Sequence, residues 1–174
     1  MQKNTITSFF GSRIYSEFRK STLLNDALKS ISEIKNLTSS YLHVIESKEK
    51  LSSKVQKSLS QILTYGEDIK EEVSPKNAIF IGPRIGTISP WSSRATDIIQ
   101  QCGIDILRIE RIKTISFVTN SGKPLSKRDK EAIGQLLYDR MTESIFIDQD
   151  DINKLFIHHN PRPLNHIDII DKGI

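Results

Sequence analysis

Residues 82–97 read GPRIGTISPWSSRATD and pack two glycines, two prolines, the only tryptophan and two arginines between two apolar segments. Ser89 followed by Pro90 specifies a helix start. A serine at the N-cap accepts a hydrogen bond from a free backbone N–H, and proline at the first helical position loses nothing by having no N–H. Gly82 and Gly86 suit positive φ or close packing just before it. The stretch is therefore a turn from strand to helix. The free N–H groups of Trp91 to Ser93, the Ser92 and Ser93 hydroxyls and Arg84 or Arg94 suit a bound phosphate or carboxylate. A capped, tightly packed turn that binds nothing accounts for the same residues, and Trp91 falls on the apolar stripe of the helix, where it is expected in the core.

Working outward, short apolar runs at Ile6–Phe10, Tyr41–Ile45, Ala78–Ile81 and Ile106–Val118 read as strands. Helical patterns fill the gaps. The first, from about Ser16 to Ile34, places Leu24, Ala27, Leu28, Ile31 and Ile34 on one face, with Ser16 as N-cap. The second, Ser52 to Tyr65, carries Val55, Leu59, Ile62 and Leu63 and stops at Gly66. The third, Pro90 to Cys102, carries Trp91, Ala95, Ile98, Ile99 and Cys102 and ends before Gly103. The fourth begins at Ser126, with Asp129 three residues on, and buries Ile133, Leu136, Leu137 and Met141.

The element order is strand, helix, strand, helix, given twice. Gly11-Ser12-Arg13-Ile14 recurs as Gly82-Pro83-Arg84-Ile85, and Leu51-Ser52 with Gln61-Ile62-Leu63 recurs as Leu125-Ser126 with Gln135-Leu136-Leu137. These matches predict a duplicated unit with halves at about 1–66 and 78–143, joined by the polar residues 67–77. Two strands and two helices bury too little alone, so the halves are expected to pack as a pseudo-dimer. The predicted fold is α+β, a mostly antiparallel sheet with helices packed on it, over residues 1–148. The segment IFIDQDDINKLFIHH suggests a short strand and a short helix. Residues 149–174 are expected to begin a linker to a further domain.

The chain has 174 residues and a net charge of +4, with 37% apolar and 26% charged residues, which suits one main core. No segment concentrates the charge, and neither a zinc-finger spacing nor an aromatic ribonucleoprotein signature occurs, so nucleic acid is not an expected partner. No run of 18 apolar residues or signal-peptide core is present, so neither is a membrane, and the cytoplasm is the expected location. A lone Cys102 forms no internal disulfide. Near a helix C-terminus, where the dipole disfavours a thiolate, it is a poor nucleophile. His158, His159 and His166 do not give a metal-ligand spacing, and no metal site is expected. Arg108, Glu110 and Arg111 belong to the last long strand, their charges forming either a solvated face or an interface ion pair. Asp139, Arg140 and Glu143 end the fourth helical pattern. No nucleotide-binding or catalytic motif appears, so no catalytic residue is expected.

These residues resemble the N-terminal region of the large, single-chain phosphoribosylformylglycinamidine synthases, also called formylglycinamide ribonucleotide amidotransferases, of purine biosynthesis. The most specific part is PRIGTISPWSSRATDI at 83–98, followed by Cys102-Gly103 and Arg108-Ile109-Glu110-Arg111. Ser16-Glu17-Phe18-Arg19, Leu23-Leu24, Tyr41-Leu42-His43, Leu63-Thr64-Tyr65-Gly66, Asp139-Arg140-Met141-Thr142-Glu143 and His158-His159 support it. The sequence departs from the family pattern at Ile85, Ile112 and Tyr138.

The resemblance implies an enzyme that uses ATP, Mg and glutamine to convert formylglycinamide ribonucleotide to formylglycinamidine ribonucleotide. It implies that the synthetase and glutaminase domains, the partners of this region, lie beyond residue 174, and that the chain itself carries no cofactor. It also implies a domain similar to two fused copies of a small S subunit, organising those parts rather than making bonds. The residues then expected at substrate or at domain interfaces are Arg84, Thr87, Ser89, Ser92, Ser93, Arg94 and Asp97 in the turn and its helix, Arg108, Glu110 and Arg111 on the strand, and Asp139, Arg140 and Glu143. The alternative is a free-standing regulatory module that binds a small anion at the Ser92–Ser93 helix start.

Overall fold

A computed structural model describes residues 4–65, 73–157 and 163–165. Gly66, His158, His159, His166 and most of the expected connector and linker lie outside the described residues. Five strands form one antiparallel sheet: β1 (Thr5–Phe10), β2 (Ile34–Ser47), β3 (Ala78–Pro83), β4 (Arg108–Thr119) and β5 (Glu143–Phe146), in the spatial order β1-β2-β4-β3-β5. Among the described residues four α-helices alternate with them: α1 (Glu17–Ser30), α2 (Ser53–Ile62), α3 (Pro90–Gln101) and α4 (Lys127–Gly134). A 3-10 segment, Gln149–Phe156, follows β5. The fold is α+β, as the sequence predicts.

Each α-helix starts on a serine whose hydroxyl accepts a backbone N–H three residues on: Ser16, Ser52, Ser89 and Ser126. At α4 the Ser126 hydroxyl also donates to the Asp129 carboxylate at 2.6 Å. The turn before α3 uses Gly86 at φ 84°, left-handed backbone that an L side chain rarely adopts.

Alternation along the strands sends odd-numbered residues of β2 to β4 toward the helices. At one end of that face Leu37, Ile79, Ile115 and Phe117 pack under α1 and α4 with Leu23, Ala27, Ile133 and Leu137. At the other, Ile45, Ile109 and Phe9 pack under α2 and α3 with Leu59, Leu63 and Ile99. Tyr41, His43, Arg111 and Lys113 fall between the two clusters, and the sheet register pairs Tyr41 with Lys113 and His43 with Arg111. The other face holds Leu42, Val44, Phe80, Ile112 and Phe146, covered by Ile152, Leu155 and Phe156. Gln149–Phe156, expected to begin the linker, thus packs on the sheet.

Several expected positions move. Helix α1 ends at Ser30 rather than near Ile34, because Ile34 opens β2 opposite Thr119. Leu23, not Leu28, lies on its buried face. Helix α4 ends at Gly134, so Leu136 and Met141 leave the helical register and are 50% and 76% exposed. Cys102 caps α3 and is exposed, not on its buried stripe, which is Ser92, Thr96 and Ile99. Trp91 is partly buried rather than enclosed.

The order strand, helix, strand, helix recurs along the described residues, and so does a spacing in the strand pairing. Phe10 pairs with Leu42 and Ile81 with Lys113, and both members of the second pair lie 71 residues after those of the first (81 − 10 and 113 − 42). An odd shift, however, exchanges the faces of a strand. A Cβ on Gly11 would meet His43 Cε1 at 2.7 Å on the helix-covered face, whereas one on Gly82 would meet Ile112 Cδ1 at 2.8 Å on the other. The two glycines therefore face opposite sides and are not equivalent positions. The first sits in a bulge, with Gly11 N donating to Tyr41 O and Tyr41 N donating to Ser12 O.

Candidate functional site

The turn of residues 84–89 is tied down from beneath by two buried charges of β4. Glu110 is fully buried and its carboxylate accepts from Ser89 N at 3.2 Å, from Ser89 Oγ at 2.9 Å and from Arg108 Nε at 3.2 Å and Nη2 at 2.5 Å. Arg108, 8% exposed, reaches further, donating from Nη2 to Thr87 O and from Nη1 to Leu155 O, both at 2.8 Å, with Cζ 5.3 Å from the Phe156 ring centre. One ion pair thus joins the turn, the strand and the 3-10 segment on the far face. Of the two expectations for these charges, a solvated face does not describe Arg108 and Glu110, which form an ion pair that is buried within the domain.

The α3 start carries its own carboxylate. The Ser89 hydroxyl donates to Glu110 and accepts from Ser92 N at 3.0 Å. The buried Ser92 hydroxyl donates to Ile109 O at 2.5 Å, and Ser93 N donates to Ser89 O at 3.2 Å. The Ser93, Arg94 and Asp97 side chains are exposed. Thr87 closes the turn on Arg84 O, through its hydroxyl at 2.6 Å and its N–H at 3.0 Å. Arg84 is exposed and binds the facing loop by backbone and side chain, N to Thr142 O at 3.2 Å and Nη1 to Met141 O at 3.5 Å.

That loop closes on itself. Asp139 accepts from Met141 N at 2.8 Å and from Thr142 Oγ1 at 3.1 Å, and its own N–H donates to Glu143. Arg140 donates to Gln135, and Glu143 pairs with Lys113 at 2.7 Å. The structure therefore gathers the turn, the Asp139–Glu143 loop and the middle of β4 around one groove. Arg94 and Asp97 point from α3 to solvent.

At the centre of the groove stands Arg111, with Cζ 4.6 Å from the Tyr41 ring centre and 4.9 Å from that of Trp91. It walls two cavities, one of about 270 Å³ with Ser89, Lys113, Thr142 and Glu143, the other of about 390 Å³ with Ser12, Arg13, Tyr15 and Tyr65. Beneath it runs a polar chain: Arg111 Nη1 donates to Tyr65 Oη at 3.4 Å, and Tyr65 Oη lies 2.7 Å from His43 Nε2. Burial raises the Tyr65 pKa, against the hydrogen bond and charge of Arg111, so the phenol stays neutral where it shares its hydrogen bond with the His43 ring.

Burial, then the Arg111 cation, lowers the His43 pKa to about 4, opposed by the backbone of Phe9. Its Nδ1 forms no hydrogen bond of ordinary geometry, so that opposition is weak. The ring also packs 5.6 Å from both Trp91 and Tyr65. In the sequence Tyr41 and His43 belong to a strand run, Tyr65 ends a helical pattern, and all three support the resemblance, but none stands out as a site residue. Nothing in their local pattern announces that β2, β4, the end of α2 and the start of α3 bring them to one arginine.

Among the described residues no group of three His, Cys, Asp or Glu is placed to hold a metal, and no helix is long and apolar enough to cross a membrane. The arrangement offers cations, hydroxyls and aromatic faces in an open groove, a set suited to recognition. The family model described as "Formylglycinamide ribonucleotide amidotransferase N-terminal" matches residues 40–156, from the middle of β2 through the turn, β4 and the 3-10 segment. Because that match spans more than half of the chain, the protein belongs to this family.

Proposed function

We propose that the chain is the non-catalytic front domain of an ATP- and glutamine-dependent phosphoribosylformylglycinamidine synthase, and that it organises the synthetase and glutaminase parts of that enzyme. The family match carries this reading, because it covers the turn, Arg111 and the cavity between Ser89 and Glu143 together. ATP and Mg belong in this reading to the synthetase part, and the cytoplasm is the place of the reaction. The kept pairing across a 71-residue shift supports an origin from two fused copies of a small S-like subunit. The opposed faces of Gly11 and Gly82 then mark a one-residue slip between the copies, at the bulge in the first.

Arg84 and Ser93 are exposed, so replacing both by alanine is expected to leave the fold intact. In the intact enzyme the Arg84→Ala, Ser93→Ala variant is expected to keep turnover with ammonia and to lose much of its turnover with glutamine. A steady-state comparison of the two nitrogen sources checks this. Equal, unchanged rates with both would remove the turn from the coupling of the two parts.

A further inference from the structure

We propose that Arg111 anchors a carboxylate side chain presented by another part of the same enzyme, an inference that rests on the front-domain reading. The guanidinium leans on Tyr41 and Trp91, contacts that hold it in place without using its N–H donors, and its hydrogen bond with Tyr65 is long at 3.4 Å. No carboxylate pairs with it among the described residues, whereas neighbouring Lys113 is matched by Glu143. Among the described residues that line the two cavities, Arg111 thus offers a positive charge without a carboxylate partner, on a pre-positioned planar fork that suits a single planar monoanion held by two parallel hydrogen bonds. Glu143 on the wall of the same cavity disfavours a phosphate dianion.

The rim points to a protein rather than a free acid. Ile88 and Met141, the chain neighbours of the cavity-lining Ser89 and Thr142, are 59% and 76% exposed. Arginine, tryptophan, tyrosine and methionine gathered at one open groove form the composition of an interface centre. An acidic residue flanked by apolar side chains fits both the arginine and these apolar neighbours.

The test uses the full-length enzyme with the photo-crosslinking residue p-benzoylphenylalanine at exposed Thr142, and at exposed Ile98 of α3 as a reference. The Thr142 probe is expected to label a peptide from outside residues 1–174 that contains Asp or Glu. The yield is expected to fall at least about fivefold in both Arg111→Met and Arg111→Lys, since lysine keeps the charge but not the fork. Exchanging the labelled acid for arginine together with Arg111→Glu is expected to restore it, which separates loss of the anchor from loss of folding. Labelling confined to residues 1–174, or a yield unchanged in Arg111→Met, would overturn the anchor. If the Ile98 probe still reaches the rest of the enzyme, the front-domain reading survives that result; if neither probe does, both fail.

Discussion

Replacing Glu110 by alanine is expected to cost about 3–5 kcal/mol of stability, the usual scale for breaking a buried ion pair from one side. The carboxylate is the shared acceptor of Ser89 N, Ser89 Oγ and Arg108, and it is fully buried. Its loss strands the Arg108 charge in the interior, frees the hydroxyl that caps α3 and loosens the hold on Thr87 and Leu155. For a domain of this size the melting temperature is expected to drop by roughly 10 °C or more. The double variant Arg108→Met, Glu110→Leu removes both charges and is expected to be clearly less destabilised than Glu110→Ala alone. Calorimetric melting of the three proteins decides the matter. A single-variant loss below about 1 kcal/mol would show that the turn is held by something else.

The second large effect is a dependence on pH that one residue carries. His43 is 1% exposed and titrates near 4 in the folded protein against 6.5 unfolded. Between these values the unfolded chain takes up a proton that the folded chain refuses. Stability present above pH 6.5 is therefore lost as the pH falls through 6.5, and the loss levels off below about 4. The full difference is about 3 kcal/mol, from roughly 1.4 kcal/mol per pKa unit. Carboxylates add their own acid dependence, so the measurement is a difference. Denaturant unfolding at pH 7 and pH 4.5 is compared between the natural chain and His43→Gln, which keeps a polar partner for Tyr65. The variant is expected to lose much less stability over that interval. Parallel pH profiles would contradict a buried neutral histidine.

Much of the architecture was legible because it is written in local chemistry. A serine with free N–H groups ahead of it starts a helix wherever it occurs, and Ser16, Ser89 and Ser126 cap as read. Strand β2 was read too short because Lys35, Asn36, Thr38, Ser39 and Ser40 break the apolar run. In the sheet Ser39 and Ser40 are buried all the same, Ser40 donating to Gly11 O at 2.9 Å. The same polar stretch let α1 be drawn out to Ile34.

The groove was only half legible. Turn residues and charges on one strand can be picked out from type and spacing, but whether Arg108 and Glu110 meet solvent or each other depends on the 3-10 segment, some 47 residues on in sequence. Arg111 and the aromatic pair around it come from three separate elements, and such a meeting is set by sheet register and helix packing rather than by any local pattern. The repeat shows the limit from the other side. Its motif match was found by counting residues, and the parity of that count conceals that the two glycines face opposite ways.

The role assigned to the chain is tested most directly by supplying it separately. An enzyme lacking residues 1–156 is incubated with formylglycinamide ribonucleotide, ATP, Mg and glutamine, with and without this chain, and ADP release is measured. The chain alone is expected to release no ADP, the shortened enzyme little with glutamine, and the mixture of the two to recover it. ADP formed by the chain alone, or full glutamine-dependent turnover by the shortened enzyme, would contradict that role.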